Sequence, residues 1–170
     1  MQEEIRLLKE GEQRELERFL ERAYGHGRGF FSRNYPNLQP QATECSLVIK
    51  DQGEIVGHMG TYPLKLVVGP STILTGAIGG VAADPKARGK GYMSSLMERS
   101  LQIMAEKKMP LSVLWGDRQR YNHYGYETCG RKFYLELNRR SQNRAGVKPL
   151  EIQEVDPQDP AVLAKVHKLH

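Results

Sequence analysis

The sequence predicts an α/β domain with a mixed, mostly antiparallel central sheet flanked by helices. Three observations carry this reading. Apolar residues change along the chain from helical spacing to the alternating or continuous runs of strands. Short glycine turns join three consecutive strand-like segments into a meander. The 170 residues, 39% of them apolar, suffice for one core of ordinary size.

Taken in order, "EIRLLK" reads as a short strand, and a helix follows from Glu12 to Tyr24 with Leu16, Phe19, Leu20 and Ala23 on one face. Gly25 stops it. "GHGRGFFSRNYPNLQP" is too irregular for a regular element, and its length and aromatic content suggest a functional loop. The meander is "CSLVIK", the turn "DQGE", "IVGHMGTYPLKLVV", the turn "GPST" and "ILTGAIGGVAADP". Met93, Leu96, Met97, Leu101 and Met104 then recur at helical spacing, which predicts a helix from Tyr92 to Lys107 whose methionines belong to the core. "LSVLWG" is a fifth strand, "DRQRYNHY" a short helix, and "RKFYLELN" a last strand before the polar run "RRSQNRAG".

Composition narrows the function classes. Charged residues make up 26% and the formal net charge is +5, which favours an anionic ligand but is too mild to single out nucleic acid. Cys45 and Cys129 lie far apart with no partner at metal-ligand spacing, so no metal site is expected, and both are read as buried thiols of a cytoplasmic protein. The N-terminus has no apolar signal region and no run approaches a membrane span, so no membrane partner is expected.

The segment "PKARGKGYM" is where an anion would bind. Two familiar phosphate loops fail here. Gly89 is followed by Lys90 and Gly91, which breaks the P-loop pattern, and Ser94 stands where a dinucleotide fingerprint needs its third glycine. What remains is a strand ending in a glycine-relaxed turn whose backbone N–H groups and following helix N-terminus converge on one point. Arg88 and Lys90 add positive charge there, and Ser94 and Ser95 add hydroxyl donors.

Arg88-Gly89-Lys90-Gly91-Tyr92-Met93 resembles the R/Q-x-x-G-x-G/A signature of the GNAT superfamily of N-acetyltransferases, with Met93 where that family usually has a small residue. "YNHYGYE", with Tyr121 four residues before Gly125, resembles the family's Y-x-x-x-G-F segment. The likeness spans residues 1–140. It implies a GNAT-type sheet splayed between the fourth and fifth strands, and acetyl-CoA as cosubstrate. Its pyrophosphate would sit on Arg88, Gly89, Lys90, Gly91, Tyr92, Met93 and Ser94, and its peptide-like arm would pair with the backbone of Val81 and Ala83. The reaction implied is direct attack of a neutral primary amine, on a small molecule or a peptide, upon the thioester. The Ala83 N–H would stabilise the oxyanion, and Tyr121 would act as general acid toward the departing thiolate.

No spacing selects a general base among Glu44, His58, Asp117 and His123. Phe30, Phe31 and Tyr35 are expected to wall the acceptor. Two rival classes stand beside the enzyme: an acyl-CoA-binding domain without catalysis, and a nucleic-acid module using the basic and aromatic run 117–134, which is disfavoured because that run also holds acidic residues. Homo-oligomerisation is left open. Finally, "PLEIQEVDPQDPAVLAKVHKL" repeats the strand, turn and amphipathic helix plan of the N-terminus. The expected division is a catalytic domain over 1–148, then a linker and the start of a second GNAT-like domain over 149–170, similar to tandem acetyltransferases of the enhanced-intracellular-survival type.

Overall fold

Strand alternation sorts the core into two layers. In strand β2 (Ser46–Asp51), Leu47 and Ile49 point to one face of the sheet and Val48 to the other, and each side collects its own cluster of buried residues. Helix α4 (Tyr92–Glu106) lies on the first face, where Leu96, Met97 and Met104 join Met59 and Ile78. Helix α1 (Gln13–Tyr24) lies on the second, where Leu16, Phe19 and Leu20 join Ile55 and Ala82.

The computed structural model describes residues 4–35, 42–87, 89–130, 154–156 and 159–168, and the chain divides into two compact units, Met1–Glu127 and Thr128–His170. In the first, β1 (Ile5–Leu7), β2, β3 (Glu54–Val68), β4 (Ser71–Ala83) and β5 (Leu111–Leu114) form one sheet in that order. The first three pairings are antiparallel and β4–β5 is parallel, as the sequence predicts for a mixed sheet. The β4–β5 pairing runs only from Thr75–Leu111 to Ile78–Leu114, whereas β4 continues to Ala83. Beyond Ile78 the two strands part, which is the expected splay.

Three expectations need correction. The segment after α1 is not wholly irregular: α2 (Phe30–Asn34) forms there, begun by Gly29 at φ 76°, and α3 (Ala42–Cys45) precedes β2. Ala23 is exposed, and Glu21 takes its place among the buried residues of α1, its carboxylate accepting the Phe30 N–H at 3.0 Å. Cys45 is buried but Cys129 is exposed, because it follows the last short helices rather than lying in the sheet. "DRQRYNHY" folds as α5 (Arg118–Tyr121) and a 3-10 turn, Asn122–Tyr124. The predicted strand over 131–138, the polar run after it and residue Arg88 lie outside the described residues. In the second unit, α6 (Pro160–His167) is capped by Asp159, which accepts the Ala161 N–H at 2.8 Å, and it presents Leu163 and Val166 to solvent.

Among the described residues no helix is long and apolar enough to cross a membrane, and no cluster of His, Cys, Asp and Glu could hold a metal ion.

Candidate active site

The site begins with a defect in the β3–β4 ladder. His58 pairs with Ala82 and Gly60 with Gly79, so Met59 alone faces two residues, Gly80 and Val81. This is a β-bulge, and Gly80 takes φ 63°, a conformation that favours glycine. His58 fills the space beside it and donates its Nδ1–H to the Gly80 carbonyl at 2.7 Å. Downstream, Asp84 donates its N–H to Val56 on β3, so alternation turns the N–H of Ala83 to the opposite edge, where β5 has left. The Val81 carbonyl also points away from β3 and accepts the Tyr24 hydroxyl at 3.0 Å.

A cavity of about 460 Å³ opens on this edge, lined by Val81, Ala83, Met93, Ser94, Tyr121 and His123 among others. It shares Ala83, Met93 and Ser94 with a second cavity of about 390 Å³, which Ala87, Gly89, Gly91 and Tyr92 complete. Gly89 and Gly91 both have positive φ, 81° and 77°, and a Cβ at either would meet nothing within 4 Å, so the loop is open to a ligand. Gly91 begins α4. The first helical hydrogen bond is made by Ser95 to Gly91, which leaves the N–H groups of Tyr92, Met93 and Ser94 ahead of it at the positive end of the helix dipole.

Not every predicted donor turns toward this loop. The Lys90 ammonium lies 3.1 Å from Asp51 and 5.4 Å from the centre of the Tyr92 ring. The Ser95 hydroxyl donates back to Gly91 at 3.3 Å, whereas Ser94 lines both cavities.

Tyr121 stands at the other end, between the larger cavity and a third of about 230 Å³ lined by Tyr24, Gly79, Val81, Trp115, Asp117 and Arg120. Its position is built locally. Asp117 caps α5 by accepting the Gln119 N–H at 3.1 Å, and the Tyr121 ring meets Tyr126 edge-on at 6.1 Å. Ser112 donates to the Gly76 carbonyl, so the Tyr126 hydroxyl must be the donor in its 2.6 Å bond to Ser112. Gly116 leaves room for the ring, since a Cβ there would lie 2.5 Å from Tyr121 Cε2. Burial raises the Tyr121 phenol above its ordinary value, the nearby Arg120 opposing, and burial followed by the Tyr121 charge raises Tyr24. Both phenols are therefore protonated at neutral pH.

Of the four candidate bases, the fold brings Asp117 and His123 to the cleft. Glu44 is exposed on α3, and His58 is fully buried on the α1 side of the sheet, where loss of hydration lowers it from 6.5 to about 4 against the opposing Gly80 bond. Phe30, Phe31 and Tyr35 cluster with Tyr24 and His26: His26 stacks on Phe30 at 3.6 Å, and Tyr24 meets Phe31 at 6.0 Å. Tyr24, Trp115 and Gly116 were not singled out from sequence. Tyr24 carries no local motif and reaches Val81 only through the fold.

A splayed β4–β5 pair, a bulged β4 and a glycine turn feeding the N-terminus of α4 define an acyltransferase scaffold, and the chain belongs to the acetyltransferase (GNAT) domain family, whose model matches residues 4–129. Among solved structures, a probable N-acyltransferase from Enterococcus faecalis V583 is 20% identical with a TM-score of 0.65, covering 75% of this chain and 33% of its own. A GCN5-related N-acetyltransferase from Kribbella flavida is 26% identical with a TM-score of 0.62, covering 74% of this chain and 33% of its own. A GNAT family acetyltransferase from Brucella melitensis in complex with acetyl-CoA is 21% identical with a TM-score of 0.62, covering 75% of this chain and 84% of its own. The chain thus spans about a third of the length of the first two. No curated protein matches it in sequence.

Proposed function

We propose that this domain moves an acetyl group from acetyl-CoA to a primary amine by direct attack within a ternary complex. The observation that carries the reading is the continuous groove along the free edge of β4, from the glycine loop at α4 to Tyr121. An anionic diphosphate suits the loop, where Gly89 and Gly91 let the backbone approach and the Met93 and Ser94 N–H groups precede the first helical bond of α4. Arg88 completes the signature from its place in the sequence. The amide-bearing arm of the cosubstrate suits a strand edge, since it can continue the ladder that β5 abandons at Ile78. Its thioester then lies by Ala83 and Tyr121.

In this reading the amine nitrogen attacks the thioester carbonyl carbon and the π electrons move onto oxygen. The Ala83 N–H, turned outward on β4, donates to that oxygen, an interaction worth about 2.7 to 4 kcal/mol where comparable donors have been removed from other enzymes. The oxyanion collapses, the carbon–sulfur bond breaks, and Tyr121, protonated at neutral pH, supplies the proton to the departing thiolate. The cavity on the far side of Val81, with Tyr24, Trp115 and Asp117, would take the acceptor, a small molecule or peptide amine. In this reading Asp117 or His123, each lining one of the two cavities, receives the proton that the amine loses.

The test is a screen of amines with acetyl-CoA, read as free thiol release, beside calorimetric titration with coenzyme A. Binding and thiol release that depend on one class of amine support the reading. Binding without turnover on any amine would make this an acyl-CoA-binding domain, and no binding at all would refute the site. The repeated plan of the tail leads us to read 149–170 as the start of a second, related domain, consistent with the one-third span of two structural neighbours. Assaying the chain beside its natural full-length gene product checks that.

A further inference from the structure

His58 is an odd residue for its surroundings. It faces α1 across from Val48 and Ala82, among the cluster of Leu16, Phe19, Leu20 and Ile55, and is 0% exposed. An apolar side chain would pack there without polar atoms to satisfy. Its Nε2 is buried with no hydrogen-bond partner, so the imidazole is not held there by a network. Its one satisfied group is Nδ1–H, and that bond goes to Gly80, the residue at which β4 bulges. The fit is close on both sides. A Cβ on Gly80 would lie 2.8 Å from His58 Cε1, and Gly80 also needs its positive φ. One residue further on lies the Val81 carbonyl, and three residues further on the outward Ala83 N–H, both on the groove.

We propose that His58 is a positioning residue for acyl transfer: by bonding the Gly80 carbonyl from behind the sheet, it fixes the β4 bulge and so sets where the Val81 carbonyl and the Ala83 N–H stand along the groove. It touches no substrate and has no route to one, since β4 lies between it and the cleft. This rests on the acetyl-transfer reading given above. Its chemistry is a held geometry, in which a displacement of about 1 Å at the reacting centre lowers turnover by about 100-fold.

Two substitutions separate the donor from the packing. In His58→Asn the side-chain amide N–H occupies the place of Nδ1–H and can still donate to Gly80, whereas His58→Leu fills the apolar side without a donor. The expected result is that Asn keeps kcat within a few-fold of wild type, while Leu lowers kcat about 10- to 100-fold with a much smaller change in the dissociation constant of coenzyme A. Hydrogen exchange gives a second readout that needs no activity. Opening of the bulge in His58→Leu, and not in His58→Asn, should speed exchange of the Ala82 amide, which faces β3 opposite His58, relative to the rest of β4. Wild-type turnover in Leu, or equal losses in Asn and Leu, would overturn the proposal. If Leu does not fold, long-range nitrogen–proton correlation on the wild-type imidazole decides: a protected Nδ1–H supports the assignment and an Nε2–H tautomer removes it. If wild-type protein neither binds coenzyme A nor turns over, the acetyl-transfer reading fails, and the exchange data still report whether His58 holds the bulge.

Discussion

Lowering the pH from 7 to 5 should weaken the fold through His58 alone. The imidazole is fully buried, and loss of hydration holds it at about 4 in the folded chain instead of 6.5. The unfolded chain therefore takes up a proton near pH 6.5 while the folded one refuses it until about 4. Stability rises with pH wherever the unfolded state binds more protons, so this contribution is complete above 6.5 and is lost as pH falls through that window. Integrating between the two values gives a loss of about 2 kcal/mol from pH 7 to pH 5. For a chain of this size that is a fall in Tm of roughly 4 to 8 °C. The assay is urea unfolding at half-unit pH steps, run in parallel on wild type and on His58→Asn, which cannot titrate. Other groups contribute equally to both, so the difference in slope isolates His58. Parallel curves between pH 7 and 5 would show that the imidazole is not held neutral in the core and would refute the reasoning. Below pH 4.5 both proteins should lose further stability together. There the unfolded chain takes up a proton on Glu12, while the folded chain keeps it ionised down to about 2, first through its bond to Arg6 and also through Lys9 and Lys50.

Three further outcomes are expected. Tyr121→Phe should lower kcat by about 100- to 10,000-fold with the dissociation constant of coenzyme A nearly unchanged, as for loss of a general acid; intact turnover would make Tyr121 structural. Gly91→Ala places a Cβ in open space and adds only backbone strain from φ 77°, so it should weaken coenzyme A binding modestly, whereas Gly91→Glu puts a negative charge at the helix N-terminus and should abolish measurable binding by calorimetry. Equal affinities for the two variants would remove the loop from the site. Gly76→Ala drives a Cβ into the Met104 side chain and should cost about 1 to 2 kcal/mol, read as a lower urea midpoint, with methionine flexibility limiting the loss; an unchanged midpoint would mean that α4 is loosely packed there.

The glycine turn before α4 and the place of Tyr121 in a short helix were legible in the sequence because their signals are local. Gly89 and Gly91 are needed for positive φ, and the following helix announces itself by apolar spacing within a dozen residues. The sheet order was legible for the same reason: glycine turns join β2, β3 and β4 in sequence. What stayed hidden depends on long-range register. Reading His58 from strict alternation misplaces it, because β3 slips against β2 between the Ile49–Gly57 and Lys50–Ile55 pairs. Val56 is the extra residue, so Ile55 and His58 face α1 together although three positions separate them. The contact of Tyr24 with Val81 crosses 57 residues and has no spacing that announces it. The aromatic run after α1 suggested a loop because its helix is only five residues long, too short to show a period.

The edge that β4 leaves open beyond Ile78 has a second meaning, for solubility. A strand with outward N–H and C=O groups and nothing alongside is a template for a strand of another molecule. Among the described residues, two features blunt it: the bulge at Gly80 and Val81 interrupts the flat run, and the Tyr24 hydroxyl occupies the Val81 carbonyl. Among the described residues the Ala83 N–H has no such cover from β5. A ligand that completes the ladder there shields the edge as it binds, so conditions that empty the groove are the ones in which copies of this domain adhere to one another, and saturation with coenzyme A should slow the growth of light scattering on mild heating.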